Sequence, residues 1–205
     1  FASFAERSPA RCRLLRAIWR AVRGSSSDTG AGYRPGMPER QIELFFDIGS
    51  SYSYLAATQM EGLASRTGVP VRWRPFLLGA VFKSTGNDMP ARIPAKARWM
   101  RSDMAMWATH YGVPFQMPAR FPLITLRTQR ALAAAELRDP ASVAPFALAL
   151  FRAYWADGRD PTTDDVIREL APDPGIVAAI DAQETKDHLR ATTEEAVRRG
   201  AFGAP

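Results

Sequence analysis

Residues 42–57, IELFFDIGSSYSYLAA, decide how this chain is read. Ile42, Leu44, Phe46 and Ile48 alternate with Glu43, Phe45 and Asp47, the period-two pattern of a strand. The alternation stops at Gly49, and the spacing predicts a helix from Ser51 to about Arg66 with Gly68 as its stop. The stretch VPVRWRPFLL (69–78) sets Val69, Val71 and Trp73 against Arg72 and Arg74, a second strand. Two strands joined through a helix form a βαβ unit, so they are expected to run parallel. At the junction, Ser50-Ser51-Tyr52-Ser53 occupies the frame in which many proteins carry Cys-x-x-Cys, and here it holds no thiol. A hydroxyl at 50 or 51 can cap the exposed N–H groups of the helix start. It can also donate to an anion gathered there. Spacing alone favours the cap, and any thiolate at this position has to come from outside the protein.

Beyond residue 78 no strand pattern follows. Helices are expected over 95–111, 122–138, 140–156, 163–170, 174–180 and 185–199, the last stopped by Gly200. Pro122, Pro140, Pro161 and Pro174 fall where a first helical turn tolerates proline. The pattern reads as half of an α/β domain carrying a long helical stretch. With 205 residues, 46% of them hydrophobic, the chain can bury one substantial core. Its apolar runs are far short of the ~20 residues of a membrane span, so a soluble protein with no membrane partner is expected.

Charge is unevenly placed. The 27 basic and 21 acidic residues give +6, but eight arginines and three acids lie in residues 1–40, leaving 19 against 18 in the rest. A nucleic-acid role needs a basic face on the folded part, and none is expected. Residues 8–23, SPARCRLLRAIWRAVR, show helical apolar spacing with arginines opposite, an amphipathic, targeting or extension segment. Residues 24–40 read as a linker, and the chain begins with Phe1, which suggests a start further upstream. The lone Cys12 excludes an intrachain disulfide and a Cys-based zinc site. His110 and His188 stand near no nucleophile turn and are expected on helix surfaces, so neither a metal centre nor a Ser/His hydrolase is expected.

The opening ELFFDIGSSYSYLA resembles that of the kappa-class glutathione transferase and 2-hydroxychromene-2-carboxylate isomerase family, whose motif runs F-x-D-x-x-S-P-[YF]-S-[YW]-L. Ser51 stands where that family usually has proline, a change compatible with a first helical turn. Two further blocks agree in order and spacing, RPFLLGAVFKSTGNDMPARIPAKARWMRSDM (74–104) and KDHLRATTEEAVRRGAFGAP (186–205). The resemblance spans about residues 42–205. It implies a DsbA-type, thioredoxin-like α/β fold interrupted by a large all-helical insertion. The parts would be an Arg-rich tail and linker (1–40), a βαβ part (41–78), the insertion (79–184) and a return helix with a cis-proline motif (185–205). The family's closing strands and helix would lie beyond Pro205, so the 205-residue polypeptide by itself is expected to be poorly soluble or inactive.

By the same resemblance Ser50 is the catalytic serine. Asn87, Lys96, Ala204 and Pro205 are cofactor-binding residues for glutathione, Pro205 as the cis proline and Ala204 through its backbone. A cation and an amide suit the carboxylates and peptide groups of an anionic tripeptide. The residues alone allow a plainer reading, a turn Asn and a surface Lys. The implied activity is glutathione-dependent isomerisation of the 2-hydroxychromene-2-carboxylate type in aromatic degradation. Conjugation or peroxidase chemistry of the kappa type is the alternative, followed by a non-catalytic binding protein. A thiol–disulfide oxidoreductase is opposed by the serines at 50 and 53. Trp99, Met100, Met104 and Trp107 are candidates for the wall around an aromatic substrate, or for ordinary core. A cytoplasmic homodimer is the expected setting.

Overall fold

The alternation beginning at Ile42 produces β1 (Ile42–Phe46), which pairs in parallel with β2 (Val71–Pro75), Leu44 opposite Trp73 and Phe45 opposite Arg74. The computed structural model describes residues 40–205. The expectations for the Arg-rich segment, for most of the linker and for Cys12 therefore lie outside the described residues.

The helix expected over 51–66 is instead two, α1 (Ser51–Ala57) and α2 (Met60–Thr67). The break sits at Thr58, whose hydroxyl donates to Leu55 O at 2.7 Å, while Gln59 N–H tightens onto Ala56 O. A side-chain bond of this kind competes with continuation of the helix. Gly68, at φ +68°, closes α2 by returning its N–H to Ala64 O.

After β2 the chain turns at once into α3 (Leu78–Thr85), a helix the sequence reading placed partly in a strand and otherwise missed. Then come α4 (Pro94–Tyr111), α5 (Leu126–Arg138), α6 (Val143–Trp155), α7 (Asp164–Leu170), α8 (Ile176–Ala179) and α9 (Gln183–Arg198). Short 3-10 turns occupy Pro90–Arg92 and Pro140–Ser142. Helix α5 starts four residues later than expected. Pro122 lies outside it, in a cis peptide bond with Phe121, and Thr125 stands at its N-cap. The result is the α/β fold that the resemblance implied, mostly helical around a small parallel sheet.

The two faces of the sheet are chemically distinct. Leu44, Phe46 and Trp73 enter the main core with Tyr54 and Leu55 of α1 and Phe151 of α6. Phe46 meets Trp73 edge-on at 5.5 Å and Phe151 at 5.7 Å between ring centres. On the other face Phe45 packs with Phe76, Val81 of α3 and Ala196 of α9. There Arg74, almost fully buried, bonds Glu43 at 2.7 Å and Glu195 at 2.6 Å. Arg199 also reaches Glu43 at 2.7 Å. Glu136 of α5 joins this face from Arg72 at 3.5 Å and His188 at 2.9 Å, so His188 is a network member rather than a plain surface residue. Gln129 of α5 ties the strand ends together, donating through Nε2 to both Phe46 O and Phe76 O at 2.7 Å.

Candidate active site

The C-terminal end of β1 leads into a tight turn, with Ser50 N–H on Asp47 O at 2.9 Å. Ile48 anchors that turn, fully buried, its carbonyl accepting from the Trp155 indole at 2.8 Å. Gly49 is dictated by crowding, because a Cβ there would stand 3.2 Å from Thr125 Cγ2 and 3.4 Å from Asp47 Oδ1. These constraints fix the direction in which Ser50 points.

Ser50 is the N-cap of α1: its Oγ accepts from Ser53 N–H at 3.1 Å and its carbonyl from Tyr54 N–H at 3.1 Å. A hydroxyl has one donor and two acceptor sites. The cap uses an acceptor and leaves the O–H free to donate. Capping and anion binding, rivals when judged from spacing, are compatible in this geometry. Ser53 differs: it is fully buried, and its hydroxyl finds no hydrogen-bond partner among the described residues.

Ser50 borders a cleft of about 750 Å³. That volume is in the range of ligand sites. Asn87, Lys96, Ala204 and Pro205 also border it, as does Ser51, so the structure brings Ser50 and the other four sequence-derived site residues to one cavity. Lys96 sits in the first turn of α4, exposed and in no ion pair among the described residues. Asn87 acts on the wall itself: its Nδ2 donates to Phe202 O at 2.8 Å and its Oδ1 accepts from Asp88 N–H at 2.9 Å. It thereby holds the segment before Ala204 against the loop after α3. The Ala204–Pro205 peptide is cis.

Of the four proposed wall residues only Trp99 and Met100 line this cleft. Met104 is buried in the main core, and Trp107 packs outside against His110 and Tyr111 at 5.5 and 5.4 Å. Positions 100, 104 and 107 share a face of α4, but each turn carries the side chain further along the helix axis, beyond the cleft. His110 is an exposed member of that ring cluster.

The sequence reading missed several walls. Phe45, Phe82, Phe121 and Phe202 surround the cavity from four separate segments. Tyr52 lies beside Ser51 and donates to Asp103 Oδ2 at 2.8 Å, joining α1 to α4. Burial and the adjacent Asp103 carboxylate push its phenol up to about 12. Asp47 sits behind the turn, where burial pushes its carboxyl up against the pull of hydrogen bonds from Thr125, Gly49 and Leu78. Its place in the F-x-D-x-x-S pattern was the one available signal.

Residues 41–205 match the family of DSBA-like thioredoxin domains. The glutathione S-transferase kappa 2 of Caenorhabditis elegans is 33% identical over 185 residues, covering 82% of this chain and 81% of that protein. A 2-hydroxychromene-2-carboxylate isomerase of Sphingobium xenophagum is 30% identical over 173 residues, covering 81% of this chain and 87% of that protein. A solved structure of a 2-hydroxychromene-2-carboxylate isomerase superposes with a TM-score of 0.70 at 24% identity, covering 80% of this chain and 82% of that one.

Proposed function

Since the chain belongs to the family of DSBA-like thioredoxin domains, among the enzymes named kappa-class glutathione transferase and 2-hydroxychromene-2-carboxylate isomerase, we propose that it is a glutathione-dependent isomerase of the latter type. The observation that carries this reading is the unspent O–H of Ser50, held by the cap and bordering the cleft with no thiol in the frame. Bound glutathione would supply a thiol nucleophile for reversible addition to the conjugated carbon of a ring-opened aromatic keto acid: addition would turn the double bond into a single bond free to rotate, and elimination would restore it and return the thiol.

The chain's own residues fit such a guest. The Ser50 hydroxyl donates to a sulfur anion and lowers its basicity, aided by the positive end of α1. Lys96 and Ala204 border the cleft, where the cation would meet a carboxylate of the tripeptide and the Ala204 backbone would pair with its peptide unit as an added strand does. Asn87 keeps that strand-like segment in place through Phe202. Trp99, Met100 and Phe121 present an apolar wall to an aromatic substrate.

Kappa-type conjugation is the second reading, favoured by the 33% identity to the nematode transferase. The two differ in whether the tripeptide is consumed, which a glutathione balance over many turnovers separates. Testing the shared core of both readings requires titrating reduced glutathione against wild type and Ser50→Ala while following thiolate absorbance. The bound thiol of wild type should titrate below that of free glutathione, and the substitution should restore the ordinary value. An ordinary value in wild type defeats both readings. A cytoplasmic homodimer remains part of the proposal, and the described residues include no helix long and apolar enough to cross a membrane.

A further inference from the structure

We infer that Asp47 is a positioning residue for Ser50, acting through geometry rather than charge; the inference rests on the reading of Ser50 given above. Asp47 is 3% exposed, and four donors converge on it. Its Oδ1 accepts from Gly49 N–H at 2.9 Å and from the Thr125 hydroxyl at 2.7 Å, its Oδ2 from Leu78 N–H at 2.9 Å, and its main-chain oxygen from Ser50 N–H at 2.9 Å. These donors belong to three separate segments: the Gly49–Ser50 turn, the start of α3 and the N-cap of α5. The turn borders the cleft, and the other two segments also help wall it. Leu78 and Phe82 come from α3, and Phe121 lies just ahead of Thr125. One carboxylate therefore sets where the Ser50 hydroxyl points and where the cavity around it closes.

No cation pairs with Asp47 among the described residues, so hydrogen bonds alone hold it. A buried carboxylate without a countercharge is costly. A negative charge behind the turn also opposes a second anion in front of it. Any help Asp47 gives to a thiolate at Ser50 must therefore be positional, which gives the test a definite sign. Asp47→Asn keeps the shape and can still accept from Gly49 and Thr125. Its amide, however, sets N–H against the N–H of Leu78 and removes the charge.

The experiment measures the thiol pKa of bound reduced glutathione in wild type, Asp47→Asn, Ser50→Ala and the double variant, with Thr125→Ala as a milder loosening should Asp47→Asn fold poorly. The expected result for Asp47→Asn is a rise of about one unit, from weakening of the charge-assisted hydrogen bond to the thiolate, and a smaller rise for Thr125→Ala. In the Ser50→Ala background neither change should raise the pKa further, because the positional effect of Asp47 runs only through Ser50, and loss of the charge by itself lowers it. A fall in thiol pKa with Asp47→Asn, or additive shifts in the double variant, overturns the inference. A second readout needs no glutathione: hydrogen exchange at the Ser53 amide, which the Ser50 cap protects, should accelerate in both loosened variants. Wild-type exchange there also overturns the inference. If Ser50→Ala leaves the thiol unmoved while Ser53 exchange accelerates, the glutathione reading fails and the positioning of Ser50 by Asp47 stands.

Discussion

The small sheet and the turn at its C-terminal edge carry two buried polar centres that solve opposite problems. On its outer face, Arg74 is surrounded by Glu43, Glu195 and Glu136, and its guanidinium also lies 5.2 Å from the centre of the Phe45 ring. At its C-terminal end, Asp47 has no countercharge among the described residues and is held by four hydrogen-bond donors, and near it Ser50 keeps a donor in reserve. The first centre uses charge to satisfy charge and joins β1, β2, α5 and α9. The second uses hydrogen bonds to aim one unused O–H into a cleft. The contrast teaches where to look for chemistry in a fold of this kind: at the polar group left with capacity, not at the one with the most partners.

Breaking the ionic centre should give the largest effect. Arg74→Ala removes the one cation among the described residues that reaches Glu43, Glu136 and Glu195 together, leaving Arg199 on Glu43 and Glu195 and Arg72 on Glu136. Removal of one partner from a buried ion pair costs about 3–5 kcal/mol. Thermal or urea unfolding should show that loss. The thiol pKa of bound glutathione should stay at its wild-type value in whatever fraction remains folded, since Arg74 is not among the residues bordering the Ser50 cleft. A changed thiol pKa would erase the distinction between the two centres.

Ser50→Ala should reverse that pattern. Loss of the cap costs about 1 kcal/mol of stability. Loss of a hydrogen bond to developing charge costs roughly 10²-fold in kcat. Steady-state kinetics beside a melting curve would check both halves. A large stability loss with unaltered kcat would leave Ser50 as a cap and nothing more.

Acid separates the centres by sign. For Glu43, burial raises the carboxyl, but hydrogen bonds from Arg199 and Arg74 prevail and hold it below its ordinary 4.5. Glu195 is held below the same value chiefly by its hydrogen bond from Arg74. Groups depressed in the folded state contribute stability that is present above the unfolded value and disappears as pH falls through the folded one. The ionic centre should therefore lose strength from about pH 4.5 downward. Asp47 is raised above its ordinary 3.8 by burial, so its protonation favours the folded state and its contribution is lost as pH rises through its folded value. Melting temperature followed against pH should show a steeper acid decline in Asp47→Asn than in wild type, and a shallower one in Arg74→Ala. Parallel curves for all three would refute these assignments.

Much of this arrangement was legible in residues 42–78, because a βαβ unit is written in local patterns: period two, then a capped helix, then period two again. The serine frame was equally visible, and its order with Asn87, Lys96 and Pro205 pointed to one site. What stayed hidden depends on contacts distant in sequence. Helix α3 starts where Asp47 catches Leu78 N–H, 31 residues away, so no local signal announced it. The break at Thr58 turns on one hydroxyl bond. Position along the axis of α4, not its face, puts Met100 in the cleft and Met104, one turn on, in the core. Capping and function looked exclusive because spacing does not reveal which lone pairs of an oxygen are already occupied.

The smallest effect concerns the other serine of the frame, and its direction is the informative part. Ser53 Oγ is buried with no partner among the described residues, and an unsatisfied buried hydroxyl costs about 1–3 kcal/mol. Its main-chain N–H, the group that Ser50 caps, survives substitution. Alanine is also the better residue within a helix, by up to ~0.7 kcal/mol. Ser53→Ala should therefore raise the melting temperature, by the equivalent of about 1 kcal/mol, and leave the thiol pKa of bound glutathione unchanged. Were that substitution to destabilise the protein or shift the thiol, the hydroxyl of Ser53 would belong with that of Ser50. The difference between a serine that aims a donor and one that merely fills its position would then fail within a single turn of helix.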